Sequence, residues 1–223
     1  MTRNAAVDRI LHAVAPGAGV DLRVLNDLLS RRPRPEVLLP LLADRDPDTV
    51  RAGIVFLGMY GSLRECPLLA LCLQHHDLGV VQLAEYCLWA IWMRSGSTEG
   101  NRHLTEAVHA GRVGNHEEVV RTLCALTALE PGFAEAHFQL GLALAALDRP
   151  DEAVRAFRQT LRLNPYHFAA AAALGHSQVA LNNLQAALQA YRQAVRIHPL
   201  LDDIPQAIDD LEVLVTRGAD GER

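Results

Sequence analysis

The sequence predicts an all-α fold of stacked, antiparallel helix pairs, and two internal repeats carry this prediction. In the second half of the chain, four separate columns of residues return at a period of 34. The columns are Pro131, Pro165 and Pro199; Ala107, Gly141 and Gly175; Val119, Ala153 and Ala187; and Leu123, Phe157 and Tyr191. Self-similarity at such a period indicates an array in which each helix pair packs only on its neighbours.

The first half of the chain repeats at a different period, 31 residues. Five residues share this spacing: Leu38, Leu42, Asp46, Val50 and Leu57 recur as Leu69, Leu73, Asp77, Val81 and Leu88. Asp46 is expected to cap a helix, Pro47 suits the first helical position, and Asp48 suits the positive end of the helix dipole. Asp77 is expected to cap the equivalent helix of the second copy.

Two segments of the second half resemble the tetratricopeptide (TPR) repeat. They read AEAHFQLGLALAALDRPDEAVRAFRQTLRLNPYH and FAAAAALGHSQVALNNLQAALQAYRQAVRIHPLL, and residues 100–133 form a weaker copy. The resemblance implies pairs of antiparallel helices, with the first helix of each pair lining a concave face that contacts a partner.

The segment LLPLLADRDPDTVRAGIVFLG resembles a HEAT repeat or a HEAT-like repeat of the bilin-lyase type, over about residues 35–94. Residues 1–32 contain two further helical patterns, at about 4–14 and 21–31, which we interpret as a capping repeat. The combined expectation is a right-handed α-solenoid, HEAT-like first and TPR second.

These patterns divide the chain into four regions. The regions are HEAT-like repeats with their cap (1–94), three TPR repeats (95–201), a C-terminal capping helix (202–218) and a disordered tail (219–223). The capping helix should present Ile204, Ile208, Leu211 and Val215 to the stack.

The pattern over residues 78–94 is apolar on nearly every side of a helix, with Trp89 and Trp92 on different faces. Such a helix must be covered on several sides. We expect it to form the junction between the two arrays and to make the solenoid continuous. The alternative is a homodimer that uses Trp92.

Small residues are expected to set the distance between helices in the TPR half. Gly141 and Gly175 carry no side chain, so the backbones of paired helices can approach closely there. Phe157 and Tyr191 are expected to fill the remaining space toward the neighbouring pair.

Composition excludes several classes of protein. The net charge is −5 without a basic patch, so no nucleic-acid partner is expected.

We interpret Cys66, Cys72, Cys87 and Cys124 as buried free thiols of a reducing cytoplasm. No stretch has the length of a leader or of a membrane span, so a cytoplasmic protein is expected. All 21 basic residues are arginine, which suggests a GC-rich, bacterial genome.

No catalytic motif is visible, and no metal or other cofactor is expected. His75 and His76 follow Cys66 and Cys72 in an order that could suggest zinc. These residues would lie on different faces of one helix and its end, and structural zinc sites use tighter paired spacings. Histidines at the end of a helix are explained more simply by the helix dipole.

The TPR resemblance implies a binding groove on the first helices of the three pairs. Carried over position by position, its candidate residues are Asn101, Leu104, Thr105, Val108, Arg112, Glu135, Phe138, Gln139, Leu142, Ala169, Ala172, Ala173 and His176. Apolar residues stand where chaperone-binding TPR domains carry a clamp for a C-terminal carboxylate. We therefore expect a helix or an extended apolar segment as ligand. The alternative is that Phe138 and Leu142 belong to the core or are covered by the C-terminal helix.

The sequence thus predicts a non-enzymatic adaptor or scaffold that binds a protein partner. Two alternatives remain open: an accessory protein of a cofactor enzyme, such as a bilin-lyase-type protein, and a structural subunit of an oligomer. Retention of a coloured ligand would favour the first alternative, and the mass in solution would reveal the second.

Overall fold

A computed structural model describes the backbone of residues 40–221 and the side chains of residues 40–216. The predicted N-terminal cap, with helices at 4–14 and 21–31, lies outside these residues. Residues 40–42 are helical. The helices that follow are α1 (Pro47–Tyr60), α2 (Cys66–Cys72), α3 (Leu78–Met93), α4 (Thr98–Arg112), α5 (His116–Leu129), α6 (Ala134–Ala146), α7 (Pro150–Leu163), α8 (Phe168–Ala180), α9 (Leu184–Ile197) and α10 (Ile204–Gly221). The chain divides into two compact units, Met1–Ile91 and Trp92–Arg223.

In the first unit, the helix starts follow the predicted capping chemistry. The carboxylate of Asp46 accepts hydrogen bonds from the backbone N–H groups of Asp48 and Thr49, at 3.4 and 3.2 Å. Pro47 occupies the first helical position of α1, as predicted. Asp77 accepts from the backbone N–H of Val80 at 3.0 Å, at the start of α3. Both caps satisfy N–H groups that have no partner within their own helix.

Arg51 joins the two equivalent turns of this unit. Its guanidinium donates to Asp48 at 2.5 Å and to Asp77 at 2.7 Å. The pKa of Asp77 is lowered, first by the Val80 backbone hydrogen bond and then by Arg51. The same carboxylate therefore caps α3 and holds α1 beside it.

Three of the four cysteines are buried, as predicted, and the fourth is not. Cys66, Cys72 and Cys87 lie in the interior, and the position of Cys87 leaves no room for a side chain at Gly58. Burial raises the pKa of the Cys72 thiol to about 11. The prediction of burial is wrong for Cys124, which is exposed on α5.

In the second unit, consecutive helices form antiparallel pairs that stack in chain order. The pairs are α4 with α5, α6 with α7, and α8 with α9. Neighbouring pairs join where α5 packs on α6 and α7 packs on α8, and α10 packs on α9. The predicted all-α helical repeat is confirmed.

Glycine sets the spacing between paired helices, as the sequence predicted. The rings of Phe157 and Tyr191 lie against the glycines of their own pairs, whereas the prediction directed them toward the neighbouring pair. A methyl group at Gly141 would lie only 2.5 Å from Cε1 of Phe157. A methyl group at Gly175 would overlap the ring of Tyr191 in the same way. Real side chains do not approach so closely, so each site admits only glycine unless the helices separate.

The C-terminal helix covers the end of the stack with the face that was predicted. Ile204 and Leu211 are buried against Leu188 and Tyr191 of α9, and Ile208 is partly buried beside them. The helix continues to Gly221, so it extends beyond the predicted end at residue 218. The predicted tail 219–223 is therefore helical in its first residues, and residues 222–223 lie outside the described region.

Trp92, in the last turn of α3, belongs to the second unit and is fully buried there. Its ring stacks on His167 with a centroid distance of 4.1 Å and contacts Phe168 at 5.3 Å. A side chain enclosed by its own chain is not available for a partner copy, so the alternative of a homodimer through Trp92 is wrong.

The continuity of the two arrays stays a prediction. Among the described residues, no helix is long and apolar enough to span a membrane.

Replacing Gly175 with leucine should destabilise the protein, because the added atoms must displace Tyr191 or separate α8 from α9. The expected loss is about 1–3 kcal/mol of unfolding free energy or more. Gly132→Leu is the control, since nothing lies within 4 Å of a methyl group at that position. Denaturant unfolding of both variants measures the difference, and equal stability of the two would contradict the assigned packing.

Replacing Trp92 with alanine should remove the cover of His167 and Phe168 and leave a cavity. We expect a loss of about 3–5 kcal/mol, as for other buried tryptophans. Tyr86→Ala on the same helix is the control, because Tyr86 is 71% exposed. A fragment that begins at Ser95 should melt well below the whole chain for the same reason. If W92A and Y86A unfold at the same denaturant concentration, Trp92 does not belong to the core of the second unit.

Candidate functional site

Helices α4, α5 and α6 surround an open cavity of about 240 Å³. Most of its lining is apolar. The lining residues are Ala107, Val108, Gly111, Arg112, His116, Val119, Gln139, Leu142 and Ala143. We call this feature the α4–α6 cavity. Four of the predicted groove residues lie in it: Val108, Arg112, Gln139 and Leu142.

The start of α4 is held in place by the end of α5. The Ser97 hydroxyl accepts from the backbone N–H of Gly100 at 3.0 Å and thereby caps α4. Glu130 accepts in turn from the Ser97 backbone N–H at 2.9 Å and from the Ser97 hydroxyl. These hydrogen bonds lower the pKa of Glu130. A side chain at Gly100 would collide with the same carboxylate, so the Glu130 side chain can hold Ser97 in this way only because residue 100 is glycine or if the carboxylate moves.

Three predicted groove residues are buried and are therefore not accessible to a ligand. Leu104 and Glu135 have no exposed surface, and Phe138 is almost fully enclosed. The Phe138 ring packs between Phe157 and His167, with centroid distances of 5.9 and 4.4 Å. The prediction that these residues contact a ligand is wrong, because neighbouring helices cover this side of the predicted face. The alternative that Phe138 belongs to the core is the one the structure shows.

Glu135 belongs to a buried polar cluster. Its carboxylate accepts from Nε2 of Gln139 at 2.8 Å and lies 3.1 Å from Nε2 of His167. Nδ1 of His167 accepts from the backbone N–H of Ala170 at 3.1 Å and so caps α8. We assign the His167 proton to Nε2, which donates to Glu135, because Nδ1 already acts as acceptor. The carboxylate is therefore satisfied in the interior and supports structure.

The other predicted residues have separate places. Asn101 braces the turn before α4: it accepts from the backbone N–H of Gly96 at 3.1 Å and donates to the carbonyls of Arg94 and Gly96. Ala172 packs against the cluster that α9 and α10 form. Nδ1 of His176 lies 2.7 Å from the Tyr191 hydroxyl, and partial burial lowers the pKa of His176.

A second open cavity, of about 330 Å³, lies between α5, α6 and α7 and was missed by sequence reasoning. We call it the α5–α7 cavity. Its lining includes Cys124, His137, Arg149 and Glu152. Arg149 and Glu152 form an ion pair at 2.6 Å, and burial lowers the pKa of His137. The TPR resemblance points to the concave face of first helices, so it gives no signal for polar side chains on second helices.

Over the described residues, no group of three or more histidine, cysteine or acidic side chains is placed to hold a metal ion. His75 uses Nδ1 to accept from the backbone N–H of Asp77, at 3.0 Å. Cys66 and Cys72 each donate a thiol hydrogen bond to a carbonyl of their own helix region. The side chains that suggested zinc thus have structural partners.

Comparison with known proteins supports the repeat assignment. Residues 134–167 and residues 169–199 each match a tetratricopeptide repeat model. The first TPR domain of Spaghetti (RPAP3), solved with the HSP90 peptide SRMEEVD, has a TM-score of 0.52 at 14% identity, over 54% of this chain and 96% of that chain. The Sgt2 TPR domain from Aspergillus fumigatus has a TM-score of 0.52 at 12% identity, over 57% of this chain and 85% of that chain.

Structures of MamA are also similar to this chain. One MamA crystal structure has a TM-score of 0.50 at 19% identity, over 61% of this chain and 84% of that chain. No curated protein matches the sequence. At these identities the likeness shows the fold alone. The helix pairs α6–α7 and α8–α9 thus match the tetratricopeptide repeat in sequence and in fold.

Proposed function

We propose that the second unit is a non-enzymatic adaptor that binds a segment of a protein partner in the α4–α6 cavity. The observation that carries the proposal is the open apolar lining of this cavity, in which the Leu142 side chain is 39% exposed. A ligand that binds in a concave site removes such exposed apolar surface from water, and this burial favours binding. TPR repeats are protein-interaction modules, which supports the same conclusion.

The proposed contact residues are those that the cavity brings together. Val108 and Arg112 come from α4, and Gln139 and Leu142 come from α6, one turn apart on each helix. Spacings of three and four residues place such side chains on one face of a helix. The Spaghetti (RPAP3) domain, which was solved with a peptide, shares this fold. That likeness supports a peptide segment as the ligand class.

For the first unit we propose the HEAT-like interpretation of residues 35–94. Its support is the pair of equivalent turns in which Asp46 and Asp77 cap α1 and α3, and in which Arg51 bridges from one turn to the other. Such a bridge is expected between stacked repeats, because each repeat contacts its neighbour at the same position.

Selection of peptides on the whole protein tests the proposed function. A phage-displayed library of random linear peptides is panned on the full chain, and the retained peptides are titrated into Leu142→Arg. The charged side chain should abolish binding, because it places a guanidinium in an apolar lining. Leu129→Arg is the control, since Leu129 is 80% exposed and lines neither cavity.

Equal melting temperatures of the two variants would show that L142R is folded. The proposal fails if no peptide is retained, or if every retained peptide binds L142R as tightly as the wild type.

A further inference from the structure

Arg112 has no acidic partner among the described residues. Several other arginines pair with Asp or Glu side chains, namely Arg51, Arg102, Arg121, Arg149, Arg155 and Arg192. Arg112 is exposed at the end of α4 and makes no ion pair or side-chain hydrogen bond with any residue described between 40 and 216. Its guanidinium donors are therefore free for a ligand.

The surroundings of Arg112 within the α4–α6 cavity contain no opposing charge. The ionisable residues of the lining are Arg112 and His116, and the lining includes no carboxylate. This composition contrasts with the net charge of −5 of the whole chain. An acidic group that enters the cavity meets attraction from Arg112 without repulsion from the lining.

The start of α5 adds to the same electrostatic character. His116 is the first residue of α5, and the Asn115 side chain forms no capping hydrogen bond. The N-terminal end of a helix carries partial positive charge. Glu117 and Glu118 lie in the first turn and offset some of it, although Glu118 also pairs with Arg121.

The volume and the apolar surface of the cavity limit the kind of chemical group that can enter. Its volume of about 240 Å³ lies below the range of about 300–1,000 Å³ that is usual for whole drug-sized ligands. Val108, Val119 and Leu142 provide apolar surface. One large apolar side chain of a partner fits this space better than a complete small molecule.

We propose, on the basis of the proposed function, that the partner segment carries an apolar side chain next to an acidic one. The apolar side chain enters the α4–α6 cavity, and Arg112 binds the neighbouring carboxylate. An arginine can hold one carboxylate through two parallel hydrogen bonds, so an internal Asp or Glu is sufficient. A free C-terminal carboxylate is not required. A C-terminal clamp holds it with several cations and amides, whereas here the guanidinium of Arg112 alone binds the carboxylate.

The peptides selected on the full chain test this proposal. Those that depend on Leu142 should be enriched in Asp or Glu within a few positions of a large apolar residue. For such a peptide, Arg112→Gln should lower the affinity about twofold to tenfold, as expected for a partly exposed charged pair. Arg158→Gln is the control, because Arg158 is exposed on α7 and lines neither cavity.

Two further measurements separate the outcomes. Higher salt should weaken binding to the wild type more than to R112Q. A peptide with an amidated C-terminus should bind as tightly as the free acid, and a requirement for the free acid would overturn the proposal.

Leu142-dependent peptides without acidic enrichment, together with an R112Q affinity equal to the wild type, would overturn the proposal and leave the proposed function standing. Absence of any Leu142-dependent peptide would overturn both.

Discussion

The close approach of glycine to an aromatic ring is the constraint on which the second unit depends. Phe157 lies against Gly141, and Tyr191 lies against Gly175, at distances that no larger residue at these glycines would permit. The ring fills the space that the missing side chain leaves, so close packing and a short distance between helices arise together. Because both pairs recur at a period of 34, the same geometry is imposed on successive helix pairs.

This geometry decides which side chains remain accessible. Stacking covers one part of α4 and α6 and leaves another part lining a cavity. Leu104 and Phe138 are buried, whereas Val108 and Leu142, one turn further along the same face of their helices, line the open cavity. The candidate site therefore depends on the repeat packing and is not added to it by a separate loop or insertion.

Local and periodic features could be predicted from the sequence, and features that depend on the stacking angle could not. The Asp46 cap follows from neighbouring residues, and the packing of Gly175 follows from the period. The burial of Glu135 depends on His167, which is 32 positions away and reaches it only in the stacked fold. His167 was detectable in one respect, because it is a polar residue at a position where the preceding copy has the apolar Phe133. The stacking of Trp92 on His167 had no such signal, since an apolar helix does not reveal which neighbour covers it.

Mapping of amide chemical shifts on the isotope-labelled full chain tests the location of the binding surface most directly. During titration with a selected peptide, the account predicts the largest shift changes at Val108, Gly111, Arg112 and Leu142, around the α4–α6 cavity. Largest changes around Cys124 and Arg149 instead would place the ligand in the α5–α7 cavity and would contradict the central claim.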